Sequence, residues 1–353
     1  MRTFLDSLSQ RLAAAFVRPE KRHPGRSYPC RCGRPVFFHN CLCLACQAQL
    51  GYVPATARVH ALEAAAQAGL WRLHDGAGEH RRCTNFDLAA GCNWLIPADD
   101  PQPLCRACRL NRTIPNLGDP EHGREDGELW QRLEAAKRRL VASLLALGLP
   151  VQSRETEDPG HGLAFDFLRS PKEGPRVLTG HADGLITINV EEADDAVREK
   201  IRVGLREPYR TLLGHFRHEV GHYYWDRLVA GTPWLEPFRE VFGDERADYA
   251  AALKRNYEQG PAPDWSQRHV SAYASVHPWE DWAETWAHYL HIVDSLQTAL
   301  NFGFGGDTVE FSIEPFGRDA LYQPDHPGAT RFLELLSSWI ELVAVLNELN
   351  RSL

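Results

Sequence analysis

The 353-residue chain lacks the features of membrane-embedded and secreted proteins. No segment approaches the roughly 18 consecutive apolar residues that a membrane-spanning helix needs. The N-terminus also lacks the uninterrupted apolar core of a secretory signal, because Asp6, Ser7 and Arg11 break it. We therefore expect a cytoplasmic protein without a membrane span, in which residues 1–27 form a short amphipathic helix and a linker.

Cysteine is absent from the last 245 residues, and all nine cysteines lie between Cys30 and Cys108. An odd number of cysteines without a signal peptide argues against a disulfide framework. Charge divides the chain at a similar place. Residues 1–115 hold 15 Lys and Arg against 8 Asp and Glu, whereas the remainder holds 24 against 39. Because the length favours two domains, we place them at residues 28–115 and 116–353.

The cysteines form two groups that each end in a C-x-x-C pair. The first group is Cys30, Cys32, Cys43 and Cys46, and the second is Cys83, Cys92, Cys105 and Cys108. A C-x-x-C turn directs two thiolates at one tetrahedral Zn²⁺, so the spacing predicts up to two structural zinc sites in a small zinc-ribbon domain. Pro35, Phe37, Phe38 and Asn40 suggest a short β-hairpin between the pairs of the first group. Cys41 is either a spare thiol or a zinc ligand in place of Cys30. The second alternative arises because Cys30 and Cys32 have C-x-C spacing, which is one residue shorter than the usual C-x-x-C zinc knuckle.

Zinc ribbons serve as structural modules or as docking sites for nucleic acid or protein. The basic residues of this half form no dense patch interleaved with aromatic residues; they are Arg81, Arg82, Arg106, Arg109 and Arg112. Thiolates bound to zinc would also reduce the positive excess, and the rest of the chain is acidic. These features argue against nucleic-acid binding and favour a structural role or the docking of a protein partner.

His218-Glu219-Val220-Gly221-His222 places two imidazoles one helical turn apart with a carboxylate between them. Residues four apart lie on one face of an α-helix, so both rings can bind one ion. Apolar residues recur at three- and four-residue steps around the motif, and Gly231-Thr232-Pro233 ends the pattern. In this H-E-x-x-H arrangement His218 and His222 hold a catalytic Zn²⁺, and Glu219 is the general base.

Other segments of the acidic half have clear patterns. Leu129–Leu147 reads as a helix whose Lys137-Arg138-Arg139 triplet forms a solvated face. Leu163–Leu168 and Leu185–Val190 read as strands. If the second strand lies at a sheet edge, it could pair with an extended peptide backbone.

A catalytic zinc site needs a third protein ligand, and the sequence excludes one solution for it. A third histidine in H-E-x-x-H-x-x-G-x-x-H would replace Leu228, and a glycine would replace Trp225. A Met-turn is also excluded, because Met1 is the single methionine. The third ligand should therefore be acidic.

The acidic candidates occupy two segments. Asp244, Glu245 and Asp248 lie in FGDERADY, and Glu280 and Glu284 lie in HPWEDWAETWAHYLH. The second segment is favoured, because it reads as a helix that begins near Pro278 and carries a polar stripe framed by tryptophans. Asp244 or Asp248 could instead orient a zinc-bound histidine, or Asp244 could cap the helix that follows.

Tyr273 followed by Glu280-Asp281-Trp282-Ala283-Glu284 resembles a motif of the Glu-ligand zincins related to anthrax lethal factor. The resemblance implies that Glu280 is the third zinc ligand and that Tyr273 faces the substrate oxyanion. Asp281 and Trp282 stand where those zincins have two aromatic residues. Glu284 therefore remains the alternative ligand.

Residues 28–351 resemble the bacterial zinc-binding metallopeptidases that carry an N-terminal zinc ribbon. The resemblance rests on PCRCG, CLAC, CNWLI, LCRACRLNRTIPNL, HEVGHYYW, FGDERADY and SAYASVHPWEDWAETWAHYLH. It implies an α+β fold in which a small zinc-ribbon domain precedes a largely helical, zincin-like metallopeptidase domain, and it implies a cytoplasmic location.

We therefore predict a zinc-dependent metallopeptidase that hydrolyses peptide or isopeptide bonds in a peptide or protein substrate. One catalytic and up to two structural Zn²⁺ ions are its expected cofactors. One alternative is an adaptor, whose ribbons bind nucleic acid or protein while the zincin-like domain serves as a non-catalytic platform. Another is a zinc hydrolase that acts on non-peptide amides.

Overall fold

The computed structural model describes residues 27–204, 210–302 and 316–352. The predicted N-terminal helix lies outside these residues, apart from position 27. The chain is divided into two compact units. Unit one is built from residues 1–79, 142–150 and 291–353, and unit two from residues 80–141 and 151–290, within the described ranges. The domain boundary at residue 116 stays a prediction.

Unit one contains two antiparallel strand groups. β1 (Ser27–Pro29) pairs with β2 (Pro35–Phe37), so the hairpin encloses Cys30 and Cys32 instead of lying between the two cysteine pairs as predicted. β3 (Leu50–Val53), β4 (Arg58–Ala64) and β5 (Leu70–Leu73) pair in chain order. Buried Leu50, Tyr52 and Leu62 show that these strands turn an apolar face inward.

Unit two is built on a four-stranded mixed sheet in the order β10, β11, β9, β8. These strands are β8 (Asn111–Thr113), β9 (Ala164–Leu168), β10 (Gly180–Ala182) and β11 (Leu185–Asn189). β10 lies at the edge and runs antiparallel to β11, whereas β8, β9 and β11 are parallel. β6 (Glu79–Arg82) and β7 (Leu95–Pro97) pair antiparallel and precede this mixed sheet in the chain.

The helices are α1 (Gly123–Ala146), α2 (Asp195–Gly204), α3 (Leu212–Leu228), α4 (Leu235–Phe242), α5 (Tyr249–Gln259), α6 (Trp265–Arg268), α7 (Pro278–Asn301) and α8 (Ala329–Ser352). α3 packs on the sheet through Phe216, whose ring contacts Phe165 and Phe167 of β9 at centroid distances of 5.7 and 6.4 Å. This contact anchors the helix that carries the H-E-x-x-H residues.

The predicted elements of the acidic half are confirmed within a few residues. α1 begins six residues before Leu129, both strands occur where expected, and α7 begins at Pro278. The interpretation of Lys137-Arg138-Arg139 as a solvated face was wrong. Lys137 and Arg138 are 0% and 3% exposed, because both side chains turn toward buried Glu134.

The mixed helix and strand content confirms the predicted α+β class. None of the helices within residues 27–204, 210–302 and 316–352 is long and apolar enough to cross a membrane.

Candidate metal centres and active site

The first cysteine centre forms around the β1–β2 hairpin. Sγ atoms lie 3.7 Å apart for Cys30 and Cys46 and 3.8 Å apart for Cys32 and Cys43. Four sulfurs about 2.3 Å from a tetrahedral zinc would lie about 3.8 Å apart, so the donor set fits this ion. Gly33 has a φ of 78°, which permits the tight turn after Cys32. Cys41 is exposed and does not belong to the convergent set.

The second cysteine centre lies in unit two and is fully enclosed. Cys83, Cys92, Cys105 and Cys108 bring their Sγ atoms together, with 3.6 Å between those of Cys92 and Cys105. The backbone N–H of Cys105 donates to Cys83 Sγ at 3.4 Å. All four side chains are buried, and their spacing also fits a tetrahedral zinc.

The H-E-x-x-H residues occupy the middle of α3. Thr211 caps this helix by accepting a hydrogen bond from the backbone N–H of Gly214. His218 and His222 lie one turn apart, and their Nε2 atoms are 3.2 Å from each other. The helix therefore directs both nitrogens to one point, as the spacing predicts.

Glu280 of α7 reaches the same point. Its Oε2 atom lies 3.0 Å from His218 Nε2 and 3.6 Å from His222 Nε2. Ligands about 2.05 Å from a tetrahedral zinc would be separated by about 3.3 Å, so the three atoms match that geometry. Glu280 is 1% exposed, and its Oε2 forms no hydrogen bond within the described residues. A buried carboxylate oxygen without a hydrogen bond is the electron donor that a cation would satisfy.

Gly221 explains how α7 comes close enough to supply this carboxylate. A Cβ atom at Gly221 would lie 3.1 Å from Ala283 Cα and 3.3 Å from its carbonyl oxygen. The indole Nε1 of Trp282 donates to the Gly221 carbonyl at 2.9 Å. A small residue within H-E-x-x-H and a small residue of α7 therefore permit this close crossing of the two helices.

Glu284, the alternative ligand, lies behind His218 instead of beside Glu280. His218 Nδ1 donates to Glu284 Oε1 at 2.7 Å, and Ser271 Oγ donates to Glu284 Oε2 at 2.6 Å. Burial alone would raise the pKa of Glu284, but the hydrogen bond from His218 lowers it to about 2. Glu284 is therefore ionised and fixes the ring orientation of His218, as carboxylates behind metal-bound histidines do.

The FGDERADY segment contributes a tyrosine to the centre. Tyr249 Oη donates to Glu280 Oε1 at 2.6 Å, which holds the carboxylate in place. The acidic candidates point elsewhere, because Asp244 pairs with Arg246 and Glu245 pairs with Arg239. Asp248 caps α5 by accepting from the backbone N–H of Ala251. The expectations that Asp244 caps this helix, or that Asp244 or Asp248 orients a histidine, are not met.

Glu219 follows His218 on α3, and Tyr273 lies near His218. Burial would lower the pKa of His218, but the hydrogen bonds with Glu280 and Glu284, and after them the charges of Glu280 and buried Glu219, raise it well above its usual value. The ring of Tyr273 lies 6.0 Å from that of His218. Burial, followed by the charge of Glu280, raises the pKa of Tyr273 far above its usual value. The phenol is therefore protonated and can act as a hydrogen-bond donor.

The imidazole of His222 contacts two neighbouring rings. Trp279 lies against it with a centroid distance of 4.0 Å, and His181 of β10 stacks at 6.2 Å. Burial, followed by the charge of His222, lowers the pKa of His181 to about 4, so His181 is neutral at neutral pH. The Nδ1 atom of His222 has no hydrogen-bond partner within the described ranges. The two zinc-facing histidines therefore differ in how their rings are oriented.

Sequence reasoning missed Tyr249, Ser271, His181 and Trp279 as residues that surround the centre. Tyr249 lies within FGDERADY, whose acidic residues are candidate ligands. Trp279 is one of the tryptophans that frame the polar stripe of the Glu280 helix. Ser271 and His181 have no local pattern that distinguishes them, because their roles depend on packing between distant segments.

Comparisons with known proteins identify two families along the chain. A family described as "Putative zinc-binding metallo-peptidase" matches residues 126–353, and one described as "zinc-ribbon domain" matches residues 27–119. Uncharacterized proteins of Mycobacterium bovis and Mycobacterium tuberculosis are 42% identical over 330 residues, which is 93% of this chain and 88% of theirs. No solved structure matches the chain. The chain therefore belongs to this zinc-binding metallopeptidase family and carries its zinc-ribbon domain at the N-terminal side.

Proposed function

We propose that the protein is a zinc-dependent metallopeptidase with a zincin-like catalytic domain that hydrolyses peptide or isopeptide bonds. One observation carries the proposal. The buried Oε2 of Glu280 and the Nε2 atoms of His218 and His222 converge at the separations of a three-ligand zinc site, and Glu219, the next residue after His218 on the same helix, is buried. A purely structural zinc site would have no use for this further carboxylate.

A Zn²⁺ ion held by His218, His222 and Glu280 would polarise the scissile carbonyl and lower the pKa of water toward about 7. Glu219 takes the proton of the attacking water and returns it to the leaving amine. Tyr273, which is protonated, donates a hydrogen bond to the developing oxyanion. Glu284 and Tyr249 keep His218 and Glu280 in place during this step.

The predicted strand at Leu185–Val190 is β11, which lies inside the sheet, so its neighbour β10 at the edge is the strand that offers a place for the substrate backbone. It carries His181, whose ring stacks on His222, so the strand passes next to the proposed centre. A peptide that pairs with an exposed edge is held by backbone hydrogen bonds, which do not depend on its side chains. We therefore propose that the substrate binds in an extended conformation along β10.

Replacement of Glu219 by Gln tests the proposal. We expect the variant to keep its zinc and its thermal unfolding midpoint while kcat falls by about 10²–10⁴-fold, because only the proton transfer is removed. Activity is measured on a mixed library of peptides, isopeptides and small amides, with zinc per chain measured by mass spectrometry. Glu240→Gln in α4 is the matched control. Activity of Glu219→Gln near that of the control would refute the base role.

The adaptor hypothesis keeps one observation in its favour. Leu44, between Cys43 and Cys46 of the first centre, is 85% exposed and would be available to a protein partner. The hydrolysis assay with Glu219→Gln also distinguishes an adaptor from a peptidase. An adaptor would show no zinc-dependent hydrolysis of any library member, and Glu219→Gln would leave all its binding properties unchanged.

A further inference from the structure

Helix α1 carries three buried charges that the proposed reaction does not use. Glu134 and Lys137 are 0% exposed, and Arg138 lies one residue further along the same helix. Lys137 Nζ lies 2.5 Å from Glu134 Oε1, and Arg138 Nη1 lies 3.7 Å from Glu134 Oε2. Burying ions in a protein interior is expensive unless their charges are balanced. One carboxylate supplies a single negative charge to these two cations.

The second cysteine centre lies directly beside this cluster. Glu134 Oε2 is 3.9 Å from Cys108 Sγ, and Arg138 Nη1 donates to the carbonyl of Ala90, two residues before Cys92, at 3.1 Å. Four thiolates around one Zn²⁺ carry two net negative charges. Together with Glu134, the zinc-bound centre therefore offers three negative charges to two buried cations. Apart from these thiolates, Glu134 is the one carboxylate within the described residues that pairs with both cations, and Lys137 Nζ also donates to Asn111 Oδ1.

The chain that leaves the second centre enters the sheet of unit two. β8 begins three residues after Cys108 and pairs with β9, the strand on which the H-E-x-x-H helix packs. Arg109 donates to Glu157 at 3.1 Å, and Ser153 Oγ donates to the Arg109 carbonyl at 2.7 Å. Asn111 Nδ2 donates to Glu134 at 3.0 Å. The cysteine centre, the charged cluster and the catalytic residues therefore belong to one compact unit.

We propose that the second cysteine centre is a structural zinc site of the peptidase unit itself, and that Lys137 and Arg138 neutralise its thiolates. The zinc-ribbon domain would then contribute only its first centre as a separable module. Loss of zinc from the second centre would leave uncompensated buried cations beneath the sheet and destabilise the catalytic residues. This inference concerns the metal that supports the fold, and it is independent of whether Glu219 is a base.

Two neutral substitutions in the full-length protein separate this proposal from a plain ion pair. If the cations neutralise zinc-bound thiolates, Lys137→Met is damaging because it removes a counter-charge. Glu134→Gln is then tolerated, since an amide beside Cys108 removes a negative charge from the neighbourhood of a thiolate. If the cations merely pair with Glu134, Glu134→Gln is the worse change, because it leaves two buried cations unpaired. Arg124→Met and Glu128→Gln, which change exposed residues of α1, are the matched controls.

The readouts are zinc per chain, the rate of zinc release to a chromogenic chelator, and the thermal unfolding midpoint. We expect Lys137→Met to lose one zinc or release it at least about tenfold faster, with a midpoint lowered by roughly 6–20 °C. Glu134→Gln should stay within about 4 °C of the wild type. A Glu134→Gln variant damaged as much as Lys137→Met, or two variants that both match their controls, would overturn the proposal.

Paired cysteine substitutions give a second test that does not depend on α1. Cys105→Ser with Cys108→Ser should remove the catalytic zinc as well as the second-centre zinc, because the unit that holds both loses its fold. Cys43→Ser with Cys46→Ser should remove one zinc only. If the first pair of substitutions also removes a single zinc and leaves the unfolding midpoint near that of the second pair, the second centre is not part of the peptidase fold.

Discussion

The two cysteine centres present four sulfur donors each, yet their surroundings differ. In the first centre Cys30 and Cys43 are buried, but Cys32 is exposed, Cys46 is half-buried, and Leu44 between Cys43 and Cys46 is exposed to solvent. In the second centre all four cysteines are buried beside charged residues of α1. The same donor chemistry therefore supports two roles. An exposed centre can present a surface, whereas an enclosed one can hold together the structure around it.

Accessibility to a thiol reagent should separate the centres most strongly. After mild chelation of the native protein, we expect the first-centre thiols to be alkylated at least about 10³-fold faster than those of the second. The second set reacts only when unit two opens, and opening a stable unit costs about 5 kcal/mol or more. The rates are measured for each cysteine by peptide mass spectrometry.

Exposed Cys41 provides the internal reference for this measurement, because it belongs to neither centre. Its rate should not change on chelation, whereas the first-centre rate should rise to a similar value. If second-centre cysteines react as fast as those of the first, burial of the sulfurs does not reflect a difference in stability, and the comparison fails.

Arginine residues within the two centres provide the next contrast. Arg109, directly after Cys108, is buried and pairs with Asp100 at 2.9 Å and Glu157 at 3.1 Å. Arg109→Ala should cost about 2–4 kcal/mol, because it leaves two partly buried carboxylates without their cation. Exposed Arg31→Ala, between Cys30 and Cys32, should cost less than about 0.5 kcal/mol. Urea unfolding of both variants measures the difference, and equal costs would contradict it.

The sequence predicts those parts of the cysteine centres and of the H-E-x-x-H site that depend on local spacing. C-x-x-C pairs and H-E-x-x-H identify their ligands because a turn or one helical turn places the donors together. The proposed third ligand is harder to predict, since Glu280 and Glu284 share a helix face. Only the orientation of α7 against α3, permitted by Gly221 and Ala283, places Glu280 beside His218 and Glu284 behind it.

Burial of charge could not be predicted in the same way. Lys137 and Arg138 follow the pattern of a solvated helix face, and their real environment depends on a cysteine centre that lies earlier in the chain. Tyr249 likewise reaches Glu280 from a segment 31 residues away. Such partners are recognised by the charge or hydrogen bond that they satisfy in three dimensions, which residue spacing does not encode.

The proposed catalytic site adds a third zinc to the comparison of the two cysteine centres. Glu280→Ala should lower zinc from about three to about two per chain while both cysteine centres stay loaded, because it removes one ligand of a three-ligand site. Glu284→Ala should keep about three zincs but bind the catalytic ion roughly 10–100-fold more weakly, since it removes the partner of His218. Mass spectrometry of metal-clean protein and chelator competition measure the two effects. Zinc loss in Glu284→Ala without loss in Glu280→Ala would exchange the two roles.

The smallest effect on stability is expected at the surface of the first centre. Leu44→Ser should change the free energy of unfolding by less than about 0.5 kcal/mol, because Leu44 is 85% exposed and its apolar surface is already in water. Zinc content should also stay at the wild-type value. Leu50→Ser in buried β3 is the contrasting control and should cost several kcal/mol. A Leu44→Ser variant that loses zinc or stability would mean that the first centre depends on its knuckle for support. It would then resemble the second centre more closely than its exposed cysteines indicate.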